Sequence, residues 1–324
     1  MGRRFVKELG QQESVDEVFL ASGKQLRPNR NGNLYLQVEL SDRTGAISAR
    51  MWNATESLYR SFDNGDYVRV CGTTQLYQGS LQLIATRLTK VFPEEVREED
   101  FVPLPSTALE KLVARLSELL RSLEDPQLKT LAECFLLDDQ FMEQFARAPA
   151  GVKHHHAYQG GLLEHVVNLM EVANRVAPCY PQINRDLLLA GAFLHDIGKV
   201  SELSYQRELA YTDEGQLIGH LVMGVGLLDA KVREAERLSG EAFPEDLLLR
   251  LKHMIVSHHG QYEFGSPKLP MTLEALALYY LDSLDAKVFA FHQQLEDDPN
   301  VDSSWTCFHP TLGRKLFKGI VAPE

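Results

Sequence analysis

Hydrophobic and polar residues alternate along the first part of the chain, which is the pattern of half-buried β-strands. Residues 34–40 place leucine or valine at every second position, and residues 47–51 repeat the alternation after a Ser-Asp-Arg-Thr-Gly turn. These two segments predict a β-hairpin. A short helix over 54–62 and two further strands, which begin near residues 67 and 81, complete the series. The pattern therefore predicts a small closed β-barrel.

The hydrophobic spacing changes after residue 105 to the 3.6-residue period of amphipathic helices. A segment with prolines and an acidic run, 93–105, separates the two patterns and is typical of a linker. Leucine and valine then recur at helical spacing from Leu109 to Leu123, and Asp125-Pro126 has the form of a helix N-terminus. Beyond these packing helices the pattern predicts helices as far as the C-terminus.

Together the patterns predict a two-part molecule, a small all-β barrel followed by an all-α helical bundle. Residues 1–92 form the predicted barrel, 93–150 the linker and packing helices, and 151–324 the main helical domain with its tail. No stretch approaches the ~20 uninterrupted apolar residues of a membrane helix, so we expect no membrane contact. The sequence leaves open whether the chain forms a homo-oligomer.

The barrel segment from Leu34 to Asn53 resembles the nucleic-acid-binding OB domains of single-strand-binding proteins and tRNA-binding modules. The resemblance implies that the outer face of the middle strands and the hairpin loops hold single-stranded nucleic acid. Tyr35 and Arg50 have the parity of that outer face, and Tyr77 lies at a hairpin tip. The same three residues also suit ordinary exposed strand positions. We expect Trp52 to close one end of the barrel.

Charge is distributed unevenly along the 324 residues, whose formal net charge is −12. Residues 1–92 carry 12 Lys and Arg against 9 Asp and Glu, and the remainder carries 21 against 36. The net charge argues against nucleic-acid binding by the chain as a whole, but the weakly basic barrel is compatible with it. An acidic helical part that is rich in His and Asp suits metal binding.

The four cysteines are far apart in sequence and form no Cys-x-x-Cys pair. This usage is typical of reduced thiols in a cytoplasmic protein. The N-terminal residues Met-Gly-Arg-Arg-Phe-Val carry charge but are not followed by the apolar core of a signal peptide. We therefore expect a cytoplasmic protein.

The segment Leu-His195-Asp196-Ile-Gly-Lys199 ends an apolar run that begins at Asp186. Burial of a carboxylate and an imidazole is costly unless something pairs with them, and a divalent metal is an economical partner. Helical spacing places Lys199 one turn beyond His195, where its charge suits chemistry on a phosphate. The alternative is a His-Asp pair that only caps and solvates the end of a helix.

All 11 histidines follow residue 153, and several stand at predicted helix ends. Each of five predicted helices carries a histidine or an aspartate at or near one of its ends. Chance does not account for this arrangement. The residues concerned are His165, His195 with Asp196, His220, His258 with His259, and Asp282.

The order His165, His195-Asp196, Asp282 resembles the HD-domain phosphohydrolases. In that family the corresponding residues bind a divalent metal inside a helical bundle. His220 and the His258-His259 pair resemble the additional histidines of members that hold two metals. The resemblance therefore implies a fold class of OB-type barrel followed by an HD-domain bundle, with two divalent ions per chain. We expect Mn²⁺, with Mg²⁺, Co²⁺ or Fe²⁺ as alternatives.

Three stretches, 155–165, 193–199 and 257–267, resemble one branch of that family, the YhaM-type 3′-5′ exoribonucleases, which join an N-terminal OB domain to an HD domain. The resemblance implies a metal-dependent enzyme that shortens single-stranded RNA from its 3′ end, and DNA is an alternative substrate. The direction of attack and the nucleoside monophosphate product are implied by the family alone. The residues themselves indicate only a phosphoester site with two metals.

Within this hypothesis the two oxygens of Asp196 bridge two ions. His165, His195 and Asp282 complete the first site, and His220 with His258 hold the second ion, with His259 as a replacement or supplement. A water between two divalent ions would ionise near neutral pH and give a hydroxide aimed at phosphorus. Lys199 would neutralise a non-bridging phosphate oxygen.

Four further residues have less specific signals. Asp285 lies on the face of Asp282 and is expected to orient a metal ligand. His253 lies about 140° around the helix from His258, which favours a second-shell or core position. His155 and His156 lie where the substrate phosphate of the family would pass, although loop histidines without a function would look the same.

Two other functions remain open at this point. The chain could hydrolyse small nucleotides or cyclic dinucleotides, as other HD proteins do, with a regulatory OB domain. It could also be a non-catalytic nucleic-acid-binding protein that retains the HD fold, although all the expected ligands are present.

Overall fold

The computed structural model describes residues 3–29, 31–77, 80–101, 104–151, 158–204, 210–296, 298, 300, 303–310 and 312–319. These residues form two compact units. The first unit takes its described residues from Met1–Pro105 and Asp297–Glu324, and the second from Ser106–Tyr205 and Ala210–Glu296. The three-part division expected from the sequence stays a prediction.

The first unit contains a closed barrel with strand order β1-β2-β3-β5-β4, which confirms the predicted barrel. The β3–β5 pair is parallel and the other neighbours are antiparallel. Inward-facing side chains from all five strands form one hydrophobic core. The elements are β1 (Ser14–Pro28), β2 (Leu34–Asp42), β3 (Gly45–Trp52), α1 (Glu56–Tyr59), β4 (Tyr67–Tyr77) and β5 (Ser80–Val91), with 3₁₀ turns at Val6–Glu8, Pro93–Glu95 and Glu98–Asp100.

Trp52 lies on the outside of the barrel and not at its end. The side chain is 45% exposed, and its ring centroid is 5.3 Å from that of Tyr35 on the neighbouring strand. Ile47 and Ala49 occupy the inward positions of β3, so the strand's period of two places Trp52 on the outer face. The expectation that Trp52 closes the barrel is therefore wrong.

The second unit is a bundle of helices around one hydrophobic core, as predicted. Side chains cap the predicted helix starts: Asp125 accepts hydrogen bonds from the amides of residues 127 and 128. The helices are α2 (Ser106–Arg121), α3 (Pro126–Leu136), α4 (Asp139–Arg147), α5 (Gly161–Val176), α6 (Arg185–Leu194), α7 (Lys199–Glu202), α8 (Asp213–Ile218), α9 (His220–Ser239), α10 (Glu245–Ser257) and α11 (Leu273–Glu296), with 3₁₀ turns at Ala177–Cys179 and Tyr262–Phe264.

A small antiparallel ribbon interrupts the helical series. It pairs β6 (Leu203–Ser204) with β7 (Ala210–Tyr211), and the Thr212 amide closes its base by donating to the carbonyl of Glu202. The prediction of helices throughout is wrong at this point, because two paired residues per strand are too short to give a sequence signal. Among the described helices, none combines the length and apolar character needed to cross a membrane.

Helix α9 approaches the turn between α6 and α7 very closely at Gly198. A Cβ atom on Gly198 would lie 2.1 Å from the carbonyl oxygen of His220 and 2.8 Å from the nitrogen of Gly224. Both neighbours are backbone atoms, which cannot move aside as a flexible side chain would. Glycine at this position therefore lets His220 lie beside the His-Asp segment.

We expect Gly198→Ala to destabilise the fold by about 1–3 kcal/mol, because the added methyl group forces α9 away. Gly226→Ala is the matched control, since its Cβ would meet no atom of the described residues within 4 Å. At this helix-interior position alanine should stabilise by about 0.5–1 kcal/mol. Urea unfolding measures both changes, and wild-type stability of the Gly198 variant would contradict the close approach.

Candidate metal centre

The seven metal ligands predicted from the sequence converge in the helical unit. They lie at the ends of helices or on their buried faces, and they come from five parts of the chain. They are His165 on α5, His195 and Asp196 after α6, His220 at the start of α9, His258 and His259 after α10, and Asp282 on α11. The arrangement brings residues together that are separated by as many as 117 positions, from 165 to 282.

Two groups of donors lie on either side of Asp196. The first group is His165, His195 and Asp282, and the second group is His220, His258 and His259. Within each group the candidate ligand atoms lie within 4.8 Å of one another, and His195, Asp196 and His258 form a third set that joins the two. This geometry suits metal ions on both sides of one carboxylate.

The two oxygens of Asp196 face different groups. Oδ2 lies 3.3 Å from Nε2 of His195 and 4.0 Å from Nε2 of His165. Oδ1 lies 3.5 Å from Nε2 of His220 and 3.5 Å from Nε2 of His258. The carboxylate is therefore placed to serve both groups at once.

Backbone carbonyls orient two of the histidines. His195 and His258 follow the last residues of α6 and α10, where helix carbonyls lack an intrahelical partner. Nδ1 of His195 lies 2.8 Å from the oxygen of Ala192, and Nδ1 of His258 lies 2.8 Å from that of Ile255. Because a carbonyl can only accept, Nδ1 donates and the lone pair of Nε2 faces Asp196.

Carboxylates orient two others. Nδ1 of His165 lies 2.7 Å from Oδ2 of Asp285, and Nδ1 of His220 lies 2.9 Å from Oε1 of Glu202. A carboxylate behind a ligating histidine fixes the tautomer and raises the basicity of the ring. Asp285 was predicted in this role. Glu202 was missed, because 18 positions separate it from His220 and no spacing rule connects them.

Three buried polar atoms at the centre have no hydrogen-bond partner within the described part of the chain. They are Oδ1 of Asp196, Nε2 of His220 and Nδ1 of His259. A buried polar atom without a partner costs about 1–3 kcal/mol, so three neighbouring ones need a common explanation. A divalent cation accepts lone pairs from all three, and the donor set therefore fits the metal that the sequence predicts.

The carboxylates of the centre are held in the ionised form. Burial opposes ionisation of Asp196, but the ammonium group of Lys199, whose Nζ is 2.6 Å from Oδ2, keeps the pKa of the carboxyl well below its usual range. Burial likewise opposes ionisation of Asp282, and the hydrogen bond from His165 lowers its pKa. Both side chains are therefore anionic at neutral pH, which is the form in which a carboxylate binds a metal.

The histidines differ in their proton affinity. Burial, reinforced by the charges of His258 and His220, lowers the pKa of His259 to about 4, so this ring is neutral and able to bind a metal. Burial also disfavours protonation of His165, but its hydrogen bonds to Asp282 and Asp285 outweigh this and raise its pKa to about 9. A metal bound at the first group would replace the proton on that ring.

The remaining predicted residues have different positions. Lys199 is at the centre, whereas His253 is not, since its Nε2 accepts a hydrogen bond from the amide of Met271 at 2.9 Å. His155 and His156 lie outside the described residues, and their role stays a prediction.

The predicted binding residues of the barrel lie on three strands: Tyr35 on β2, Arg50 on β3 and Tyr77 at the end of β4. Strand register places Tyr35 opposite Trp52 and Gln37 opposite Arg50. The guanidinium carbon of Arg50 lies 5.4 Å from the ring centroid of Tyr77, and its Nε is buried with no hydrogen-bond partner in the described ranges. Exposed aromatic rings beside a cation are the features that bind single-stranded nucleic acid.

Two family models match the chain. The HD domain matches residues 162–287, and the OB-fold nucleic acid binding domain matches residues 20–91. The chain is 35% identical over 285 residues to the 3′-5′ exoribonuclease YhaM of Geobacillus sp. (strain WCH70), which covers 88% of this chain and 86% of the relative. It is also 35% identical over 285 residues to the 3′-5′ exoribonuclease YhaM of Bacillus subtilis (strain 168), which covers 88% of each.

Among solved structures, the chain is similar to the second OB-fold domain of replication protein A from Methanococcus maripaludis. The identity is 21%, the match covers 28% of this chain and 95% of that chain, and the TM-score is 0.22. The assignment of the barrel depends on the family model and on the strand order, not on this likeness.

We expect Mn²⁺ to raise the thermal unfolding temperature of the metal-free protein, because an ion that binds only the folded chain at 100 times its Kd adds about 2.7 kcal/mol. His258→Ala should lose much of this rise, since it removes a ligand of the second group. His292→Ala, an exposed position on α11, should keep it. The comparison of each variant with and without Mn²⁺ removes the effect of the deleted side chain on the fold. An equal rise in both variants would contradict the assignment of His258.

Proposed function

The chain belongs to the YhaM family of 3′-5′ exoribonucleases, and we propose that it releases nucleoside monophosphates one at a time from the 3′ end of single-stranded RNA. The family comparisons and the HD domain make it a metal-dependent phosphodiesterase. The observation that carries the proposal is the position of Asp196, whose two oxygens each face a separate group of metal ligands.

The proposed cofactor is a pair of divalent ions, and Asp196 would contribute a ligand to each of them. His165, His195 and Asp282 would hold one ion, and His220, His258 and His259 the other. Ligand sets that mix imidazole with carboxylate suit Mn²⁺ or Fe²⁺ better than Mg²⁺, which prefers oxygen ligands. We therefore propose Mn²⁺ as the metal. When bound, such a pair supplies a nucleophile from water at neutral pH and neutralises charge on the phosphate.

The chain's own side chains prepare the site for a phosphate. Burial opposes the charge on Lys199, but Asp196 raises the pKa of its ammonium group, which stays protonated at neutral pH. Its Nζ lies beside the carboxylate that the two ions would share, so it would offset negative charge on the scissile phosphate. The hydrogen bonds to Nδ1 of the histidines hold the rings in place before a substrate arrives.

The barrel would hold the RNA strand by stacking and by backbone contacts. Tyr35 and Trp52 offer adjacent ring faces for bases, and Arg50 offers a cation for phosphate. Stacking tolerates every base, which suits an enzyme that must accept each successive nucleotide. Stacking alone does not distinguish RNA from DNA, since recognition of RNA requires contact with the 2′-hydroxyl, so single-stranded DNA is a second substrate to test.

We place the protein in the cytoplasm. Its four cysteines, which are Cys71, Cys134, Cys179 and Cys307, all carry free thiols. Free thiols in all four positions are consistent with a reducing compartment.

We expect Asp196→Asn to lower kcat by about 10³-fold or more, because the neutral amide cannot serve two ions. Asp186→Asn is the matched control, since Asp186 is also buried and starts the same apolar segment, but it accepts hydrogen bonds from the backbone of residues 124 and 125. It should retain the wild-type kcat. Gel analysis of 5′-labelled and 3′-labelled RNA with Mn²⁺ measures the rate and the direction.

The same assay separates the proposal from its rivals. A ladder from the 5′-labelled strand and mononucleotide from the 3′-labelled strand support 3′-5′ trimming. Wild-type turnover by the Asp196 variant would refute the proposed site. Activity confined to a panel of nucleotides and cyclic dinucleotides would refute the proposed substrate.

Trp52→Ala should raise the KM for RNA and leave kcat unchanged, because it removes a stacking face of the barrel and none of the predicted metal ligands. Loss of one stacked base costs about 1–3 kcal/mol, which corresponds to roughly 5–150-fold in KM. Phe92→Ala is the control, since Phe92 is a 61% exposed aromatic residue of the same unit that follows β5. An equal increase in KM for both variants would show that the face of Tyr35 and Trp52 has no special role.

A further inference from the structure

Glu202 contacts His220, a member of the second group of donors, in two ways. Its Oε1 atom accepts a hydrogen bond from Nδ1 of His220 at 2.9 Å and another from the backbone N–H of the same residue at 3.0 Å. His220 is the first residue of α9, where backbone N–H groups lack an intrahelical partner. One carboxylate oxygen therefore determines both where the helix begins and how the imidazole is oriented.

The orientation decides which nitrogen of His220 is available to a metal. An ionised carboxylate only accepts hydrogen bonds, so Nδ1 must donate and Nε2 must carry the lone pair. That Nε2 is one of the three buried atoms without a partner among the residues described, and it lies 3.5 Å from Oδ1 of Asp196. Without Glu202 the ring could take the other tautomer or rotate away.

Glu202 is itself held firmly in place. The side chain is buried, and the backbone carbonyl accepts hydrogen bonds from the amide and the hydroxyl of Thr212 at 2.9 and 3.2 Å. A Cβ atom on Gly215 would lie 2.2 Å from the same carbonyl oxygen. These contacts fix the backbone of Glu202. A side chain that positions another one needs such a fixed backbone.

Each group has one histidine that is backed by a carboxylate. Asp285 supports His165 in the first group, and Glu202 supports His220 in the second. The two supports lie on different elements, α11 and α7, and they contact different ligands. This division suggests that the affinity of each group for its ion can be changed separately.

We propose that Glu202 is a positioning residue that fixes His220 and thereby sets the affinity of the second group for its metal ion, independently of the first group. The inference depends on the proposed function, since it requires two ions per chain. A carboxylate behind a ligating histidine contributes 10–100-fold to metal affinity in general, and we expect a change of about that size here.

The test is Glu202→Gln, examined by calorimetric titration with Mn²⁺ and by electron paramagnetic resonance of the Mn²⁺ pair. The amide keeps an oxygen acceptor for the backbone N–H of His220, so the metal-free variant should unfold near the wild-type temperature. It removes the negative charge that raises the basicity of the imidazole and that obliges Nδ1 to donate, so metal binding should weaken. We expect one ion to bind as in the wild type and the other about 10–100-fold more weakly. The signal of spin-coupled ions should disappear at Mn²⁺ concentrations that saturate the wild type.

Two further measurements assign the effect to the contact with His220. Glu274→Gln is the matched control: Glu274 is equally buried and accepts a hydrogen bond from the amide of Asn184 at 2.9 Å, but it supports no ligand of either group among the described contacts. It should bind both ions normally. In a His220→Ala background, Glu202→Gln should cause no further loss of metal affinity, whereas in a His165→Ala background it should.

The outcomes separate this inference from the function on which it depends. If the wild type binds two ions and Glu202→Gln binds both with unchanged affinity, or weakens both equally, the role of Glu202 is refuted and the two-ion site stands. The same holds if Glu274→Gln gives the same loss. If the wild type binds only one ion, the two-ion proposal and this inference both fail.

Discussion

The burial of the Asp196 carboxylate is the constraint on which the helical unit depends. The residue is 2% exposed, and a buried charge of this kind must be compensated. Lys199 compensates one oxygen, while the other has no hydrogen-bond partner in the part of the chain that the structure describes. Histidines from four separate segments surround the carboxylate. All of them turn Nε2 toward the centre except His259, whose unpartnered nitrogen is Nδ1. The bundle therefore holds a buried carboxylate with one unpartnered oxygen, and a bound cation would compensate the remaining negative charge.

The helices contribute to this centre through their ends as much as through their faces. The C-terminal carbonyls of α6 and α10 orient His195 and His258, and the N-terminus of α9 begins at His220. Backbone groups that an isolated helix would leave to water here orient the predicted metal ligands. The apolar residues of α6 pack in the core, and this packing fixes the position of His195 and Asp196, which directly follow the helix.

The barrel and the bundle divide the work of an exoribonuclease in chemical terms. The barrel offers aromatic faces beside a cation, which are the features by which proteins in general bind single strands without regard to sequence. The bundle offers ionised carboxylates and imidazoles in groups that could hold the metal ions of a phosphodiesterase. The weak excess of basic residues in 1–92 and the acidic remainder follow this division.

The sequence by itself determined the barrel and the bundle, because strand alternation and helical period are local signals, and its resemblance to the HD-domain family identified the seven residues that converge. Only the tertiary structure decided the rest. It placed Trp52 outside the barrel. It also showed which oxygen of Asp196 faces which group and brought Glu202 behind His220. These features depend on contacts between segments far apart in the chain, whose distances and orientations no spacing rule contains.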